Sequence, residues 1–543
     1  MTSRIDRREF VRRGAVAGAL ALTGTTEAPA LPGHSRGVTW PKPPAPFDLD
    51  EITIAQLQEG MSAGKYTARS LAERYLARID EIDRHGPTVN SVIETNPDAL
   101  DIADALDRER KEKGARGPLH GIPVLIKDNI DTADKMKTSA GSLALADVVA
   151  PRDAFIVQRL RAAGAVILGK TNLSEWANFR STHSVSGWSG RGGQTRNPYT
   201  LDRNPCGSSS GTGAAIAANL AAVGIGTETD GSIVCPSSAT GLVGIKPTVG
   251  LISRSGIVPI SHTQDTAGPM ARTVTDAAIM LGALASVDPN DAATAPSRNK
   301  WHADYREFLT ADGLRGARIG VARNFFGFNA RVDQIMDDAV AAMKNAGAVV
   351  IDPANFATKG KFDDAEFDVL LYEFKADLNA YLARSNAPYK TLAALIEFNA
   401  QNRDREMPHF GQEIFEMAQK KGSLSTAAYR AARAKCRRLS RVEGIDAMMK
   451  KHRLDAFVAP TGGPAWVIDY LNGDHFTGGS STPAAVAGYA SITVPAGFIH
   501  ELPVGLSFVA GAWSEPTLIR LAFGFERAMP VRKAPTFRPT YSA

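Results

Sequence analysis

Two short apolar runs, Ile122 to Ile126 and Ala165 to Leu168, flank a stretch of helical spacing that begins at Phe155. Runs this short, bounded by glycine, suit strands buried in a sheet rather than helices. The order strand, helix, Gly164, strand is that of a β-α-β-like unit, so an α/β sheet protein is the expected class. The same pattern recurs downstream. Strands are expected at Ala317 to Ala322, Ala348 to Asp352, Ala456 to Ala459, Ile492 to Val494 and Val504 to Val509, and an amphipathic helix at Val332 to Asn345. Helical spacing opens the chain after Pro41 to Pro46, over Ile52 to Ile82, and dominates from Asp363 to Met448. With no internal repeat and no clear linker, the 543 residues read as one large α/β domain with a helical insertion.

Gly164 to Thr171, GAVILGKT, matches the G-x-x-x-x-G-K-[ST] pattern of a phosphate-binding loop. That loop must be exposed so that its backbone N–H groups can wrap phosphate, whereas Ala165, Val166, Ile167 and Leu168 are built for burial. A buried strand ending at Gly169 is the better reading. The segment Ser181 to Gly268 is dense in Gly, Ser and Thr, yet it carries interleaved apolar residues such as Ile216, Leu220, Val223 and Ile225. A flexible linker would lack these, so a compact, turn-rich site is expected there. Within it, Gly207-Ser208-Ser209-Ser210-Gly211 fits the G-x-S-x-G nucleophile elbow, which would make Ser209 the nucleophile with His262 as a possible partner. The elbow requires a preceding strand, and Asn204-Pro205-Cys206 is not one.

A different grouping accounts for more of the sequence. Lys127 ends the apolar run of GIPVLIKDN; Ser208 lies in CGSSSGTG; Ser232 lies in GTETDGSIVCP, 24 positions after Ser208. These three elements, with this spacing, resemble the amidase signature family. TSAGS (Thr138 to Ser142), GLVGIKPTVG (Gly241 to Gly250), QDTAGPMART (Gln264 to Thr273) and PVGLSFVAG (Pro503 to Gly511) are similar to further blocks of that family, so the likeness covers most of the chain. It implies a large mixed central sheet surrounded by helices, with the signature core over about 119–275 of an amidase domain spanning 31–543. It also implies Ser232 as nucleophile, Ser208 as a bridging serine held by a cis peptide bond, Lys127 as base and no cofactor or metal. Lys170, in the family's G-A-x-x-x-G-K-T-N strand and turn, becomes a framework residue. TETDGSIVCP, CGSSSGTG and EFKADLNAYL (Glu373 to Leu382) are most similar to bacterial peptide amidases, which remove the amide of a peptide C-terminus.

The chemistry stands on its own terms. A serine hydroxyl at neutral pH is a poor nucleophile until a base takes its proton. A lysine serves only when neutral, which burial favours, and Lys127 terminates an apolar run. A serine between base and nucleophile can pass protons both ways, and Ser-Lys pairs are a known variant of the hydrolytic triad. Consecutive N–H groups of Thr229, Asp230, Gly231 and Ser232 are candidates for an oxyanion hole. Many family members have Gly-Gly before the nucleophile and an Arg two places after it; this chain has Asp230-Gly231 and Val234. Asp230 either favours a cationic or hydrogen-bond-donating substrate or is turned away and bonded to the loop. Cys206 and Cys235 flank the two serines, and free thiols are the expectation for the pair, with a disulfide as the alternative. His120 at a strand entry is expected to be structural. Substrate choice is expected in the helical region, about 363–448 and especially Tyr372 to Arg384, and in loops near Trp466 and Trp513, where no motif names a binding residue.

The remaining features restrict the setting. A net charge of +5, from 62 basic and 57 acidic residues without a long basic run, makes no case for nucleic acid. Three cysteines fit no zinc pattern. Arg7-Arg8 before the apolar stretch Gly14 to Leu22 and the small residues Ala28-Pro29-Ala30 reads as a twin-arginine export signal over 1–30, delivering the chain to the periplasm or outside. The stretch is far short of the roughly 20 residues that cross a bilayer, so no membrane anchor is expected. The sequence reading is therefore a serine amidase acting on a small or peptide amide. Its alternatives are an aryl acylamidase or aliphatic amidase, the glutaminase subunit of a tRNA amidotransferase, an inactive binding protein and, for GAVILGKT alone, a nucleotide-binding ATPase.

Overall fold

The computed structural model describes residues 44–541, so the expected export arm lies outside the described residues. The strands are β1 (Val92–Thr95), β2 (Pro123–Lys127), β3 (Val166–Thr171), β4 (Trp188–Ser189), β5 (Gly193–Gln194), β6 (Val223–Glu228), β7 (Val243–Lys246), β8 (Thr266–Ala271), β9 (Arg318–Val321), β10 (Val349–Ile351), β11 (Ala456–Pro460), β12 (Ser491–Ile499) and β13 (Leu502–Val509). Eleven of these form one sheet in the order β1-β3-β2-β6-β8-β7-β12-β13-β11-β9-β10, while β4 and β5 pair separately. The large sheet is mixed: β3, β2 and β6 are mutually parallel, as are β11, β9 and β10, and antiparallel strands lie between the two groups.

The expected β-α-β unit is present, with helix Phe155–Ala162 crossing between β2 and β3. β3 continues past Gly169 to Thr171 rather than ending there. Its continuation is stabilised by β1, which pairs Thr95 with Gly169 and Glu94 with Lys170 so closely that a Cβ on Gly169 would collide with the Glu94 carbonyl. Because β3, β2 and β6 run parallel, their carboxyl ends lie side by side. Loops leaving the carboxyl ends of parallel strands are where α/β sheets place their sites. Lys127 is the last residue of β2, and Glu228 the last of β6.

The Gly/Ser segment is packed, not loose. Helix Ser210–Ala217 is buried at all eight positions. Its Gly211 meets the backbone of Ser91 and Asn172 so tightly that no side chain could stand there. Composition that resembles a linker is here the consequence of a helix pressed against two other chain segments.

The helical insertion comprises Asp363–Arg384, Leu392–Gln401, Arg403–Glu406, Glu413–Gln419, Ala427–Arg437 and Asp446–His452. Its apolar residues Leu371, Phe374, Leu378, Leu382 and Phe415 form a cluster with Trp176 and Phe179 from the loop after β3. Phe374 sits 5.0 Å from Phe179 and 5.3 Å from Phe415, ring centre to ring centre. Burial of such rings is the main attraction that holds the insertion against the sheet domain. Among the described residues, no helix is long and apolar enough to cross a membrane.

Candidate active site

The ends of β2 and β6 bring Lys127 and Thr227 together, and the loop before helix Ser210–Ala217 brings Ser208. Lys127 Nζ lies 2.8 Å from Ser208 Oγ, 2.9 Å from Thr227 Oγ1 and 3.3 Å from the Thr227 carbonyl. Asn129 Nδ2 donates to the same Thr227 hydroxyl at 3.0 Å. Lys127 and Ser208 are fully buried. Burial pulls the Lys127 ammonium down to about 7, although the Glu228 and Asp265 carboxylates act in the opposite direction. Near neutrality a large fraction of Lys127 is therefore the free amine.

Ser208 follows a cis peptide bond from Gly207, and its carbonyl accepts from the Ser174 N–H at 3.0 Å. Ser232 lies in the turn after β6; its carbonyl accepts the Ser209 N–H at 3.2 Å, which ties the two serine loops together. At 8% exposure Ser232 is the most accessible of the three candidate residues. Its hydroxyl makes no hydrogen bond among the described residues, so the structure joins Lys127 to Ser208 directly and Ser232 to them through backbone.

The turn from Thr229 to Ser232 is shaped for an anion. None of its four backbone N–H groups donates to an acceptor among the described residues. Gly231 makes this possible: its φ of +79° is a left-handed conformation, and a Cβ there would crowd Ser481 Oγ at 3.1 Å. The following N–H groups, of Ile233 and Val234, are instead occupied by Glu228 Oε2 at 2.8 and 3.1 Å. Thr229 Oγ1 donates to Asp265 at 2.6 Å, and Gln264 Nε2 donates to the Thr229 carbonyl at 3.2 Å. The Asp230 carboxyl accepts from Thr482 Oγ1, at the start of helix Thr482–Ala487, at 2.7 Å. Asp230 is thus bonded, though to this helix rather than within its own loop.

Cys206 and Cys235 form a disulfide, with Cα atoms 6.0 Å apart, where free thiols were expected. Their separation of 29 positions says nothing about distance, and it is the packing of the Ser208 loop against helix Val234–Ala239 that brings them together under Trp466 and Ala239. Cys436 is the remaining free thiol.

The other candidates from the sequence have structural roles. Ser209 is fully buried and its hydroxyl donates to the Thr227 carbonyl at 3.1 Å, so it is no elbow nucleophile. Lys170 is buried inside β3 with its ammonium on the carbonyls of Ile130 and Lys137, at 2.6 and 3.0 Å, which excludes a phosphate loop. His120 contacts the Leu106 carbonyl at 3.0 Å within the core. Trp513 packs under Lys300, its ring centre 4.7 Å from Nζ, and does not line the cavity described next.

A cavity of about 440 Å³ is bounded by Asn129, Thr227 and Thr229 on one side and by Asp377, Ala380, Tyr381 and Arg384 of the insertion on the other. Tyr381 donates to Asp131 at 2.8 Å on its wall. His262 and Asp377, which line it, and the buried Glu373 hold potential metal-ligand atoms within 4.8 Å of one another. Hydrogen bonds from Tyr429, Ser261 and Thr263 already occupy Glu373, and His262 Nδ1 lies 2.8 Å from Asp377. The cluster is an ion-paired network. Sequence reasoning assigned no role to Thr227, Gln264, Asp265 or Thr482; Thr227, Gln264 and Asp265 stood within quoted motifs, but Thr482 comes from a distant segment and carries no local signal.

Residues 70–519 match the Amidase family, and the chain belongs to it; it is an amide-hydrolysing enzyme. The solved peptide amidase of Stenotrophomonas maltophilia is 52% identical, with a TM-score of 0.87, covering 91% of this chain and 100% of that one. A probable amidase of Arabidopsis thaliana is 42% identical over 501 residues, 90% of this chain and 92% of its own. The glutamyl-tRNA(Gln) amidotransferase of Chloroflexus aurantiacus has a subunit 33% identical over 502 residues, 88% of this chain and 97% of its own.

The disulfide predicts a thiol count. Denatured without reductant, the protein should label at one cysteine, Cys436, and after reduction at all three. Replacing both Cys206 and Cys235 by Ala should lower unfolding free energy by about 3.5 kcal/mol, the chain-entropy value for a loop of this length. Three reactive thiols in the unreduced protein would show that the bond does not form.

Proposed function

We propose that this enzyme hydrolyses the C-terminal amide of peptides through a serine acyl-enzyme, releasing ammonia. The observation that carries the mechanism is the buried 2.8 Å contact of a neutral-leaning Lys127 with Ser208, beside a turn of four free N–H groups that begins at Thr229 and ends at Ser232. Ser232 Oγ attacks the carbonyl carbon and gives its proton to Ser208, whose own proton passes to the Lys127 amine. The negative oxygen that forms is received by N–H groups of the Thr229 to Ser232 turn, and loss of one such donor typically raises the barrier by about 3 kcal/mol. The proton returns through Ser208 to the leaving nitrogen, the C–N bond breaks, and water then cleaves the Ser232 ester by the same relay. The Ser208–Ser232 hydroxyl contact closes with substrate bound, as catalytic contacts commonly do.

The peptide-amide reading is supported by 52% identity to the Stenotrophomonas peptide amidase over nearly the whole chain. The cavity on the insertion side, with Tyr381 and Asp377 on its wall, is the space proposed for the acyl portion of the substrate. Export by the twin-arginine route is proposed from Arg7-Arg8 and the apolar stretch that follows. A disulfide beside the site is chemistry that an oxidising compartment preserves.

Ammonia release from peptide amides, aryl amides, short aliphatic amides and glutamine tests the assignment directly. Peptide amides should be the best substrates, and Ser232→Ala and Lys127→Ala should each lose at least about 1,000-fold in kcat. Full activity in Ser232→Ala would remove that residue as nucleophile, and preference for glutamine would move the chain to the amidotransferase-like reading. For a neutral substrate, kcat/KM should rise with pH up to about 7 and level off above it, because the working base is the unprotonated Lys127. A flat profile through that region would exclude Lys127 as the base. Replacing Arg7 and Arg8 together by Lys should keep the protein in the cytoplasmic fraction; unchanged export would remove the signal.

A further inference from the structure

Beside the Thr229 to Ser232 turn, two carboxyl groups that do not line the cavity meet. Asp230 belongs to the turn, and Glu366 lies on the first turn of helix Asp363–Arg384 of the insertion. Their side chains are within hydrogen-bonding reach of each other. Glu366 lies in the interior and Asp230 is half-buried; Oδ1 of Asp230 is buried without a hydrogen bond, Oδ2 is satisfied by Thr482, and the Ser481 hydroxyl also faces the carboxyl. Glu366 Oε1 accepts from Gln264 Nε2 at 2.9 Å, and Gln264 also donates to the Thr229 carbonyl of the turn. Two carboxylates in contact in a dry interior cannot both be ionised at tolerable cost, and an orphaned buried acceptor is expensive.

We infer that Glu366 is a positioning residue for the oxyanion turn: it carries a proton, donates it to the orphaned side of Asp230, and with Gln264 clamps the turn so that its four N–H groups face the substrate. This rests on the proposed role of that turn. Burial and the neighbouring Asp230 push Glu366 well above the ordinary carboxyl value, in the direction the geometry requires. Asp230 is raised too, chiefly by burial. The other titratable groups facing the pair are Asp363 on the same helix, Glu228 on β6, the Lys246 amine on β7 and the neutral Cys436 thiol on helix Ala427–Arg437. Lys246 is the one cation of this group, and its own ammonium is drawn down to about 8 by burial. One proton shared by the pair leaves a single negative charge beside the turn; losing it would place a second there, opposing the developing oxyanion.

Two substitutions separate the proton from the charge. Glu366→Gln keeps a donor to Asp230 and an acceptor for Gln264 but cannot ionise. Glu366→Ala removes both contacts. With N-acetyl-leucinamide as substrate, kcat of Glu366→Gln at pH 7 should stay within about twofold of wild type, while Glu366→Ala should fall about tenfold with little change in KM, since the loss is felt in the transition state. Wild type should lose kcat at alkaline pH as the pair gives up its proton, and Glu366→Gln should not.

Thermal unfolding reads the same pair without activity. A carboxyl raised on folding loses its stabilising contribution as pH rises from its ordinary value of 4.5 towards its folded one. The Tm of Glu366→Gln should therefore gain on that of wild type across this rise. An equal loss of activity in both variants, or wild type and Glu366→Gln tracking each other in both kcat and Tm across pH, would overturn the inference. Should Glu366→Ala fail to fold, the comparison of wild type with Glu366→Gln decides alone. Should wild type release no ammonia from any amide, the proposed function fails while the Tm comparison still tests the proton pair.

Discussion

An amine accepts a proton only when it is not already an ammonium, and the proposed mechanism depends on Lys127 meeting that requirement. Placing the side chain at the end of β2, between β3 and β6, removes it from water on every side. Desolvation disfavours the charged form more strongly than the nearby carboxylates favour it. Those carboxylates are themselves engaged: Glu228 accepts the N–H groups of Ile233 and Val234, and Asp265 accepts from Thr229, Ile260 and Ser261. Their charge is thereby committed to holding the turn in shape rather than to ion-pairing with the lysine. An exposed lysine at the same point in the chain would be protonated and of no use as a base near neutral pH.

The turn after β6 is constrained from several directions. Gly231 supplies the left-handed backbone, Asp265 and Gln264 fix Thr229, Thr482 fixes Asp230, and the Ser209 N–H holds the Ser232 carbonyl. A catalytic hydrogen-bond donor is effective when it need not reorganise as charge develops. The contacts come from β8's leading loop, the Ser208 loop and the segment that leads into β12, so the rigidity of this short turn depends on segments far apart in sequence.

The sequence disclosed most where chemistry or periodicity is local. Val166 to Leu168 announced its strand as an uninterrupted apolar run and Val504 to Val509 as an alternation of Val504, Leu506 and Phe508 with Gly505 and Ser507, and the insertion announced its helices by spacing. β8 has Gly268 and Pro269 at its centre and was not expected as a strand, since neither residue favours one. β12 extends well beyond its apolar core, through Pro495 and Gly497, because β13 pairs along its full length with a bulge at that point. Lys127, Ser208 and Ser232 were visible as a pattern, but the disulfide and the Asp230–Glu366 contact were not. Both depend on segments that approach only after folding, and nothing in a cysteine or glutamate reports its eventual neighbour.

The disulfide turns the stretch from Cys206 to Cys235 into a covalent ring that contains Ser208, helix Ser210–Ala217, β6 and Ser232. A single backbone cut anywhere inside this ring leaves both fragments attached through sulfur. The enzyme's two serine loops would then travel together on a denaturing gel until reduced, and a nicked molecule could retain them in register in solution. Chain connectivity between the two serines is thus doubled, once through peptide bonds and once through cystine.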